Sequence, residues 1–457
     1  MKLWSFIKKR MLLHFSQEIC ENEAKLSYEE TVAWAETFAK KLRGIHCCAI
    51  LCASEMAASM ALLSCFAAEV TAVPLSMRYG QAHCDKILDT ISPDAIIMDT
   101  NNELMVYRIK DSHYKTPSDH PALIMCTSGT TGKPKGAMLS EKNVKTNMRD
   151  IADYFAINEN DTILIARPLY HCAVLTGEFL TALIKGAKIR FSSEAFNPTK
   201  ILNMIEQHKI TAFCGTPTLL SMISNFKKKR KLETLKHICI SGECMSSEVG
   251  IKIGDAFAPA NIYHIYGLTE ACPRVSYLPP KYFAKYPDCV GVPLKSVSIK
   301  LLNRFGNQCD KNEEGILWVK GNNIMLGYYQ DPQKTSEILK DGWLCTGDIA
   351  IINSAGFLKI KGRGDDLIIK AGMNIYPAEI EGVLKESSLV KEVLVYGVPS
   401  NSGTKIGLKI VGAFTSTEEV RKLCVELLPP FQVPTVIQLL EELPKSGSGK
   451  IIRRFCE

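Results

Sequence analysis

The chain has 457 residues, enough for two or three domains if a domain takes about 150 residues. Apolar residues make up 46% and charged residues 23% of the sequence, which is typical of a folded globular protein and excludes a largely disordered or collagen-like chain. The formal net charge of +7 is modest, and the dense basic run at residues 227–231 is interpreted as a solvated helix end or loop, so no nucleic-acid partner is predicted.

The N-terminal residues mix basic and large apolar side chains over positions 2–12. This pattern fits a short amphipathic helix on a membrane surface or, as we favour, a helix packed on the body of the protein. The segment lacks the unbroken apolar region and the cleavage site of a secretory signal. The longest apolar stretch, residues 57–73, is interrupted by Ser59, Ser64 and Glu69. It therefore predicts a buried helix leading into a strand, and no transmembrane segment.

The 17 cysteines are scattered, with no CxxC pair and no cluster of Cys and His at zinc spacing. We therefore expect reduced thiols in a cytoplasmic protein rather than a disulfide scaffold. Cys47, Cys48, Cys52 and Cys65 stand in apolar surroundings and are predicted to be small core residues.

Helical and strand-like segments alternate through the first half of the chain. Residues 28–42 and 57–68 have apolar positions at helical spacing, and residues 48–52 and 70–73 are short apolar runs. The same alternation returns over residues 161–223. There the predicted strands are residues 162–166, 187–191 and 212–214, and the predicted helices are residues 177–184 and 198–208. Such alternation predicts an α/β fold with parallel sheets covered by helices.

After about residue 290 the sequence pattern changes to short β-rich runs. These predicted strands are residues 298–302, 315–319 and 357–361. A second change follows Gly362. There we predict a helix at residues 377–385 opened by Pro377, strands at residues 390–398 and 409–414, and a charged helix from Thr417.

These changes predict a large domain and a small one. Residues 1–361 form the N-terminal domain, with a β-rich subdomain at about residues 290–361. Residues 362–457 form a mobile α+β C-terminal domain.

The segment Thr127-Ser-Gly-Thr-Thr-Gly-Lys-Pro-Lys-Gly136 follows a short apolar run. A strand followed by a loop rich in Gly, Ser and Thr with two lysines supplies the amides, hydroxyls and positive charge that a polyphosphate needs. It is not a Walker A loop, because Pro134 stands where Ser or Thr would have to follow Lys133. The alternative, a surface loop of small polar residues, is disfavoured by the length of the pattern.

This segment resembles the phosphate-binding signature of the acyl-adenylate-forming superfamily, which includes acyl- and aryl-CoA synthetases, peptide-synthetase adenylation domains and luciferases. Further matches follow in the family's order along nearly the whole chain. The phosphate-binding residues implied by the resemblance are Thr127, Ser128, Gly129, Thr130, Thr131, Gly132 and Lys135. Of these, Thr130 is also implied to contact Mg²⁺.

The segment Tyr266-Gly-Leu-Thr-Glu270 resembles the family's second nucleotide motif. By this resemblance, the ring of Tyr266 packs on adenine, Thr269 contacts the α-phosphate and Glu270 holds Mg²⁺. A carboxylate beside the phosphates is a chemically sensible Mg²⁺ ligand, since the ion neutralises charge as pyrophosphate departs.

Two later segments resemble ribose-binding and hinge motifs. Residues 342–348 would make Asp348 the acceptor for the ribose hydroxyls, and residues 362–366 would make Arg363 a nucleotide contact and Asp365 the pivot of a domain rotation. Read alone, Asp348 is a turn residue and the second segment is a charged loop. Their places among the other motifs favour the nucleotide interpretation.

The C-terminal motifs carry the implied second half of the reaction. Residues 370–381 resemble the segment that lines the pantetheine tunnel of thiol ligases, where Gly372 would permit close passage of the thiol arm. Residues 444–453 resemble the loop carrying the adenylation lysine, here Lys450, which would stabilise charge on the reacting oxygens. Rotation about Asp365 would exchange these two elements between the steps.

The acid substrate is predicted from the segments expected to surround its carboxylate and its tail. Residues 167–172 resemble a motif that places His171 near the acyl carboxylate, although alone His171 would be a core residue. No aspartate follows that would hold an α-ammonium group. The expected pocket wall, residues 172–177, 214–217 and 240–243, is mainly small and apolar and suits an aliphatic or aromatic acid. Within it, Gly242 and Glu243 are predicted binding residues, and Glu243 could reach a polar substituent.

Together these motifs predict an ATP-dependent ligase that forms acyl-AMP and passes the acyl group to a thiol. ATP, Mg²⁺ and CoA or a phosphopantetheine thiol are the implied cofactors. Two alternatives stay open: a ligase that loads an acyl carrier protein, and a nucleotide-binding protein with a dead site. Against the second, the four residues most directly implied in chemistry are intact, namely Lys135, Glu270, Asp348 and Lys450.

Overall fold

The computed structural model describes residues 1–76, 80–100, 103–127, 134–192, 197–226, 232–370, 373–400, 403–445 and 451–453. The strands are β1 Glu18–Glu21, β2 Ala24–Ser27, β3 Cys47–Ile50, β4 Thr71–Pro74, β5 Ala95–Thr100, β6 Glu103–Arg108, β7 Leu123–Thr127, β8 Lys135–Leu139, β9 Thr162–Ile165, β10 Lys188–Phe191, β11 Ala212–Gly215, β12 His237–Ser241, β13 Asn261–Gly267, β14 Arg274–Leu278, β15 Val292–Pro293, β16 Val297–Leu302, β17 Gly315–Gly321, β18 Gly327–Tyr328, β19 Leu339–Lys340, β20 Trp343–Ile352, β21 Leu358–Arg363, β22 Ile368–Lys370, β23 Met373–Ile375, β24 Val390–Ser400, β25 Gly403–Gly412 and β26 Val436–Leu439.

The helices are α1 Leu3–Leu12, α2 Tyr28–Ala39, α3 Glu55–Ala67, α4 Gln81–Ile91, α5 Glu141–Tyr154, α6 Cys172–Val174, α7 Thr181–Lys185, α8 Pro198–Gln207, α9 Pro217–Phe226, α10 Ser247–Phe257, α11 Pro332–Ile338, α12 Pro377–Leu384 and α13 Thr417–Leu427. A π-helix, Leu175–Leu180, joins α6 to α7.

Two large sheets with parallel central strands organise the first part of the chain. The nine-stranded sheet has the order β15-β14-β13-β12-β11-β9-β10-β1-β2, and the seven-stranded sheet has the order β18-β8-β7-β4-β3-β5-β6. Strands β3 and β12 are buried along their whole length, as expected for parallel strands covered on both faces. The predicted α/β architecture is confirmed.

Helices fill the space between the two sheets. Side chains of α1, α2, α3, α5 and α7 join those of both inner sheet faces in one continuous core. Helices α8, α9 and α10 cover the outer face of the nine-stranded sheet, and α4 covers that of the seven-stranded sheet. The result is a stack of helix, sheet, helix, sheet and helix layers.

The N-terminal helix α1 packs in this core, as favoured from its sequence. Leu3, Phe6 and Ile7 on this helix are buried. Trp4 Nε1 and Lys8 Nζ both donate to Glu36 Oε1 on α2, at 3.1 and 2.7 Å. The amphipathic pattern of α1 therefore reflects packing on the body.

The apolar stretch at residues 57–73 contains most of α3 and the start of β4, so the predicted helix leading into a strand is confirmed. Among the described residues, no helix combines the length and the apolar character needed to cross a membrane. The cysteines of the described residues are free thiols, and Cys47, Cys48 and Cys65 are fully buried.

The β-rich region forms a separate antiparallel sheet of β16, β17, β19, β20 and β21 with its own apolar core. The predicted strands at residues 298–302, 315–319 and 357–361 match β16, β17 and β21. Strand β20 carries Asp348, and the register of β20 and β21 places Asp348 opposite Arg363.

The last part of the chain builds a further core around strands β24, β25 and β26 with α12 and α13. Helix α12 begins at Pro377, as predicted. Strand β25 begins earlier than the predicted strand at residues 409–414, because it pairs with β24 from Gly403 to Gly412. The domain limits at residues 361 and 362 stay a prediction.

Candidate active site

The second nucleotide motif lies where β13 ends and the chain reverses into β14. The turn is closed by Leu268 N, which donates to Pro273 O at 2.9 Å. A side chain on Gly267 would clash with the Pro273 carbonyl oxygen, so only glycine permits this close backbone approach. Thr269 and Glu270 stand in a short 3₁₀ turn at the tip and are half-buried.

Three residues from three separate motifs meet beside this turn. The Tyr266 hydroxyl donates to Asp348 Oδ2, and Arg363 Nη1 lies 3.1 Å from Asp348 Oδ1. Arg363 also donates to Thr346 O at 2.9 Å, and Asp348 N donates to Thr346 Oγ1 at 3.0 Å. The register of β20 and β21 thus builds a buried carboxylate, 7% exposed, with a positive partner.

The electrostatics of this group follow from burial. Desolvation raises the pKa of the Asp348 carboxyl above its ordinary value, and the Arg363 guanidinium opposes that rise. Desolvation and the adjacent Asp348 raise the pKa of Tyr266, so its hydroxyl stays protonated and donates. The arrangement leaves a preformed acceptor whose further lone pairs can receive hydroxyl groups.

A second group joins the phosphate-loop strands to Glu270. Strand β18 pairs with β8, with Tyr328 opposite Ala137. The Tyr328 hydroxyl donates to Glu270 Oε1 at 2.7 Å, and Lys135 Nζ lies 5.6 Å from the centre of the Tyr328 ring. Thr127 is paired with Lys135 across β7 and β8, so the two ends of the predicted phosphate loop lie next to each other, near Tyr328.

The two groups belong to one site. Burial and Glu270 raise the pKa of Tyr328, and the Arg363 guanidinium opposes that rise. Burial raises the pKa of Asp348, and the Glu270 carboxylate adds to the rise. Across the described ranges, no cluster of three or more His, Cys, Asp or Glu side chains is suited to a metal ion. A single carboxylate, Glu270, fits Mg²⁺ that is otherwise held by substrate phosphates and water.

Part of the predicted site falls in segments without a structural description. Ser128, Gly129, Thr130, Thr131, Gly132, Gly372 and Lys450 lie outside the described residues. Lys445 and Ile451, which stand before and after Lys450 in the sequence, are joined by an antiparallel β-bridge.

The residues predicted on the acyl side lie at the ends of other elements. His171 immediately precedes α6, and its ring centre is 4.2 Å from that of Tyr170. Gly242 has a φ of 101°, a conformation that glycine adopts readily. Glu243 Oε2 accepts from Thr218 N at 3.2 Å and from its hydroxyl at 2.6 Å, so this carboxylate is engaged at the start of α9.

The expectation of a mainly small, apolar pocket wall left out charged residues that are buried beside it. Arg167 Nη2 lies 2.5 Å from Glu178 Oε1, and Glu178 is fully buried on the π-helix. The guanidinium of Arg274 lies against Gly177. Sequence reasoning also missed Tyr328. An arginine opening an apolar strand was a usable signal for Arg274, whereas nothing near Tyr328 in sequence indicates its pairing with Glu270.

The AMP-binding enzyme family matches residues 9–329, and the C-terminal domain of that family matches residues 379–450. The chain belongs to the AMP-binding enzyme family. The resemblance and the fold expected from it are therefore confirmed.

Curated relatives in the AMP-binding enzyme family are CoA ligases. The long-chain-fatty-acid–CoA ligase of Yersinia pestis is 35% identical over 345 residues, covering 73% of this chain and 60% of the ligase. The chain thus spans less than two thirds of that protein. The feruloyl-CoA synthase of an Amycolatopsis species is 30% identical over 419 residues, covering 86% of this chain and 84% of the synthase.

A solved structure of an AMP-binding enzyme resembles nearly the whole chain. The o-succinylbenzoate CoA synthetase of Bacillus subtilis, in complex with its acyl-adenylate intermediate, is 26% identical with a TM-score of 0.86, covering 98% of this chain and 97% of that one. A double mutant of the same enzyme bound to the product analogue OSB-NCoA gives a TM-score of 0.70, with coverages of 98% and 96%.

Proposed function

We propose that the protein is an ATP-dependent acyl- or aryl-CoA ligase, which converts a carboxylic acid to acyl-AMP and then transfers the acyl group to CoA. The observation that carries this proposal is the convergence of Tyr266, Asp348, Arg363 and Glu270 at one site. CoA is favoured as the thiol because the relatives named above are CoA ligases.

In the proposed first step, the substrate carboxylate attacks the α-phosphorus and the bond to the departing pyrophosphate breaks. Asp348 accepts the ribose hydroxyls, Tyr266 packs on adenine, and Lys135 binds phosphate oxygens. Glu270 would hold Mg²⁺, which neutralises charge on the departing pyrophosphate when bound. Lys450 stabilises the charge that develops on the reacting oxygens.

In the proposed second step, the C-terminal domain rotates about Asp365, and the thiolate of CoA attacks the acyl carbonyl with departure of AMP. The chain is more similar to the acyl-adenylate complex of the Bacillus enzyme than to the product-analogue complex. This difference supports an arrangement of the two domains suited to the first step.

The test is pyrophosphate release from ATP with acids named by the relatives: a long-chain fatty acid, ferulate and o-succinylbenzoate. Each reaction is run with CoA for the wild type and for Lys450→Ala, with the exposed Lys422→Ala as the control. We expect Lys450-dependent turnover of at least one acid with formation of its CoA thioester. If no acid gives Lys450-dependent release, the proposal is wrong. If the acyl group is transferred to a phosphopantetheinylated carrier protein but never to CoA, the carrier protein is the acceptor and the assignment of CoA is wrong.

A further inference from the structure

Arg274 is a buried arginine, a few residues after the second nucleotide motif. Only 2% of its surface is exposed, and it is among the largest fully buried side chains. Its Nε has no hydrogen-bond partner, and no carboxylate in the part of the chain that the structure describes forms an ion pair with it. A buried guanidinium is strongly unfavourable unless it is paired, so this one calls for an anionic partner.

The main chain of Arg274 is rigidly held. Arg274 N donates to Asn147 Oδ1 at 3.1 Å, and Asn147 Nδ2 donates back to Arg274 O at 2.9 Å. Asn323 Nδ2 also donates to Arg274 O, at 3.0 Å. Because both amide side chains are buried, the strand that carries Arg274 begins at a fixed position.

The guanidinium is received by a glycine on the π-helix. A Cβ atom at Gly177 would lie 2.7 Å from Arg274 Nη2 and 2.9 Å from Nε. Only glycine therefore lets the side chain of Arg274 occupy this place. π-Helical turns occur frequently at functional sites, and this one follows directly on α6, which His171 precedes.

The buried charges around Arg274 do not balance. Glu178, the residue after Gly177, is paired with Arg167 at 2.5 Å and also interacts electrostatically with Arg274. The neighbouring thiol of Cys214 has a raised pKa and stays neutral. Two guanidinium groups and one carboxylate leave one positive charge. One further carboxylate would neutralise the group.

We infer that Arg274 determines the substrate specificity of the adenylation reaction by binding a second carboxylate of the acid, so that the protein prefers dicarboxylic to monocarboxylic acids. The inference rests on the proposed function, because it concerns the acid in that reaction. Gly177 belongs to the expected acyl pocket wall, and the planar guanidinium is matched to bidentate carboxylate binding.

The test compares dicarboxylic acids from succinate to sebacate with monocarboxylic acids of the same lengths. The measurement is kcat/KM for pyrophosphate release, expressed as the ratio of diacid to monoacid at each length. We expect the wild type to favour the diacid at one or more lengths. Arg274→Met should lower that ratio about 10- to 100-fold, as expected for loss of a charge-assisted hydrogen bond. Arg274→Lys should retain part of it.

A second variant tests the geometry without removing the charge. Gly177→Ala places a methyl group where the guanidinium lies and should also lower the ratio. Gly254→Ala is the matched control, since its Cβ would meet only Phe283 at an ordinary 3.5 Å. Arg304→Met, at an exposed position, is the control for Arg274→Met. Thermal unfolding of each variant checks that it is folded. If Arg274→Met does not fold, the diacid-to-monoacid ratio of Gly177→Ala tests the inference alone.

The outcomes separate the inference from the proposed function. Turnover of acids with no diacid preference, or with a preference that Arg274→Met and Gly177→Ala leave unchanged, overturns the inference and leaves the ligase proposal standing. Absence of Lys450-dependent turnover with every acid overturns both. A diacid preference that falls in both variants and in neither control supports the assignment.

Discussion

Asp348 has its two carboxylate oxygens engaged by different partners. Tyr266 donates to Oδ2 and Arg363 lies against Oδ1. A carboxylate offers about four lone-pair sites, so Asp348 can accept the two ribose hydroxyls without releasing either partner. The neighbouring residues therefore fix the position of the acceptor before nucleotide binds.

This arrangement predicts how Asp348→Asn affects nucleotide binding. The amide keeps the shape but removes the charge and presents N–H groups toward Arg363 or the ribose. We expect the affinity for AMP to fall about 10- to 100-fold, the loss typical of a charged hydrogen bond. The loss for 2′,3′-dideoxy-AMP should be smaller. Isothermal titration calorimetry measures both.

Asp341→Asn, an exposed position in the turn before β20, is the matched control and should bind AMP normally. Equal losses of affinity for AMP and its dideoxy analogue in Asp348→Asn would contradict ribose recognition by Asp348.

His264 gives a prediction about the pH dependence of stability. It is buried on β13, its Nδ1 lies 2.9 Å from Pro287 O, and burial lowers its pKa to about 4. The unfolded chain binds a proton near pH 6.5 that the folded chain does not, so the free energy of unfolding falls as pH decreases from 6.5 toward 4. The contribution reaches up to about 3 kcal/mol.

Urea denaturation at a series of pH values checks this, with His264→Asn as the comparison because Asn does not titrate. The decrease in stability below pH 6.5 should be smaller in the variant. Burial also lowers the pKa of His237, so part of the decrease remains. Parallel curves for the wild type and the variant would contradict the prediction.

At the residue level, the sequence indicated which residues of the proposed nucleotide site come together better than it indicated the side chains that hold them. Tyr266, Glu270 and Asp348 stand in recognisable motifs, and they lie together. The hydrogen bond from Tyr328 to Glu270 depends on the pairing of β18 with β8, which local patterns do not encode. The charge imbalance at Arg274 likewise appears only when three distant segments are assembled.

Helix α5 links several parts of the site through its first turns. Ser140 and Asn143 form a capping box, and Asn143 Nδ2 also donates to Asn322 O and Ile324 O at 2.9 and 2.7 Å. One turn later, Asn147 holds the main chain of Arg274. The cap of α5 therefore anchors the segment before β18 as well as the helix.

Asn143→Ala should destabilise the protein more than removal of an ordinary cap. The substitution leaves two carbonyl groups without this donor and removes half of the capping box, so we expect a loss of about 2–3 kcal/mol. Glu30→Ala in the capping box of α2 is the matched control, because Glu30 has an exposed side chain whose hydrogen-bond partner among the described residues is Ser27. Urea denaturation compares them. Equal losses would show that Asn143 acts only as a cap.

At the level of elements, burial explains both the successes and the errors of prediction. Strands β3 and β4 and helix α3 are apolar because they lie inside the stack, so composition marks them. The π-helix at Leu175–Leu180 was predicted as part of an ordinary helix starting at residue 177. Its widened turn accompanies the contact of Gly177 with Arg274 on another element, which helical spacing cannot encode.

At the scale of the whole molecule, specific contacts join the part before residue 361 to the part after it. The Tyr376 hydroxyl donates to Glu314, and Lys361 pairs with Glu379 on α12. Helix α12 also approaches α10, where a Cβ at Gly382 would lie 3.6 Å from that of Ser246. The proposed rotation about Asp365 would have to break the contacts of α12 with α10.

This proximity allows the rotation to be blocked. The distance between the β-carbons lies within the range of about 3.5–4.5 Å found in disulfides, so Ser246→Cys with Gly382→Cys should form one on oxidation. The structure resembles the acyl-adenylate complex of the Bacillus enzyme more closely than its product-analogue complex. The locked protein should therefore still release pyrophosphate. It should form little CoA thioester until dithiothreitol restores rotation.

The two single variants, oxidised in the same way, are the controls for this double variant and should complete both steps. They also account for Ser246, whose hydroxyl caps α10 and whose loss costs about 1 kcal/mol. The exposed Cys244 is replaced by Ser throughout to prevent mispairing with the introduced thiols. Quantitative crosslinking together with thioester formation at the wild-type rate would contradict the rotation. Loss of thioester formation alone, reversed by reduction, would establish that the two steps require different positions of the C-terminal domain.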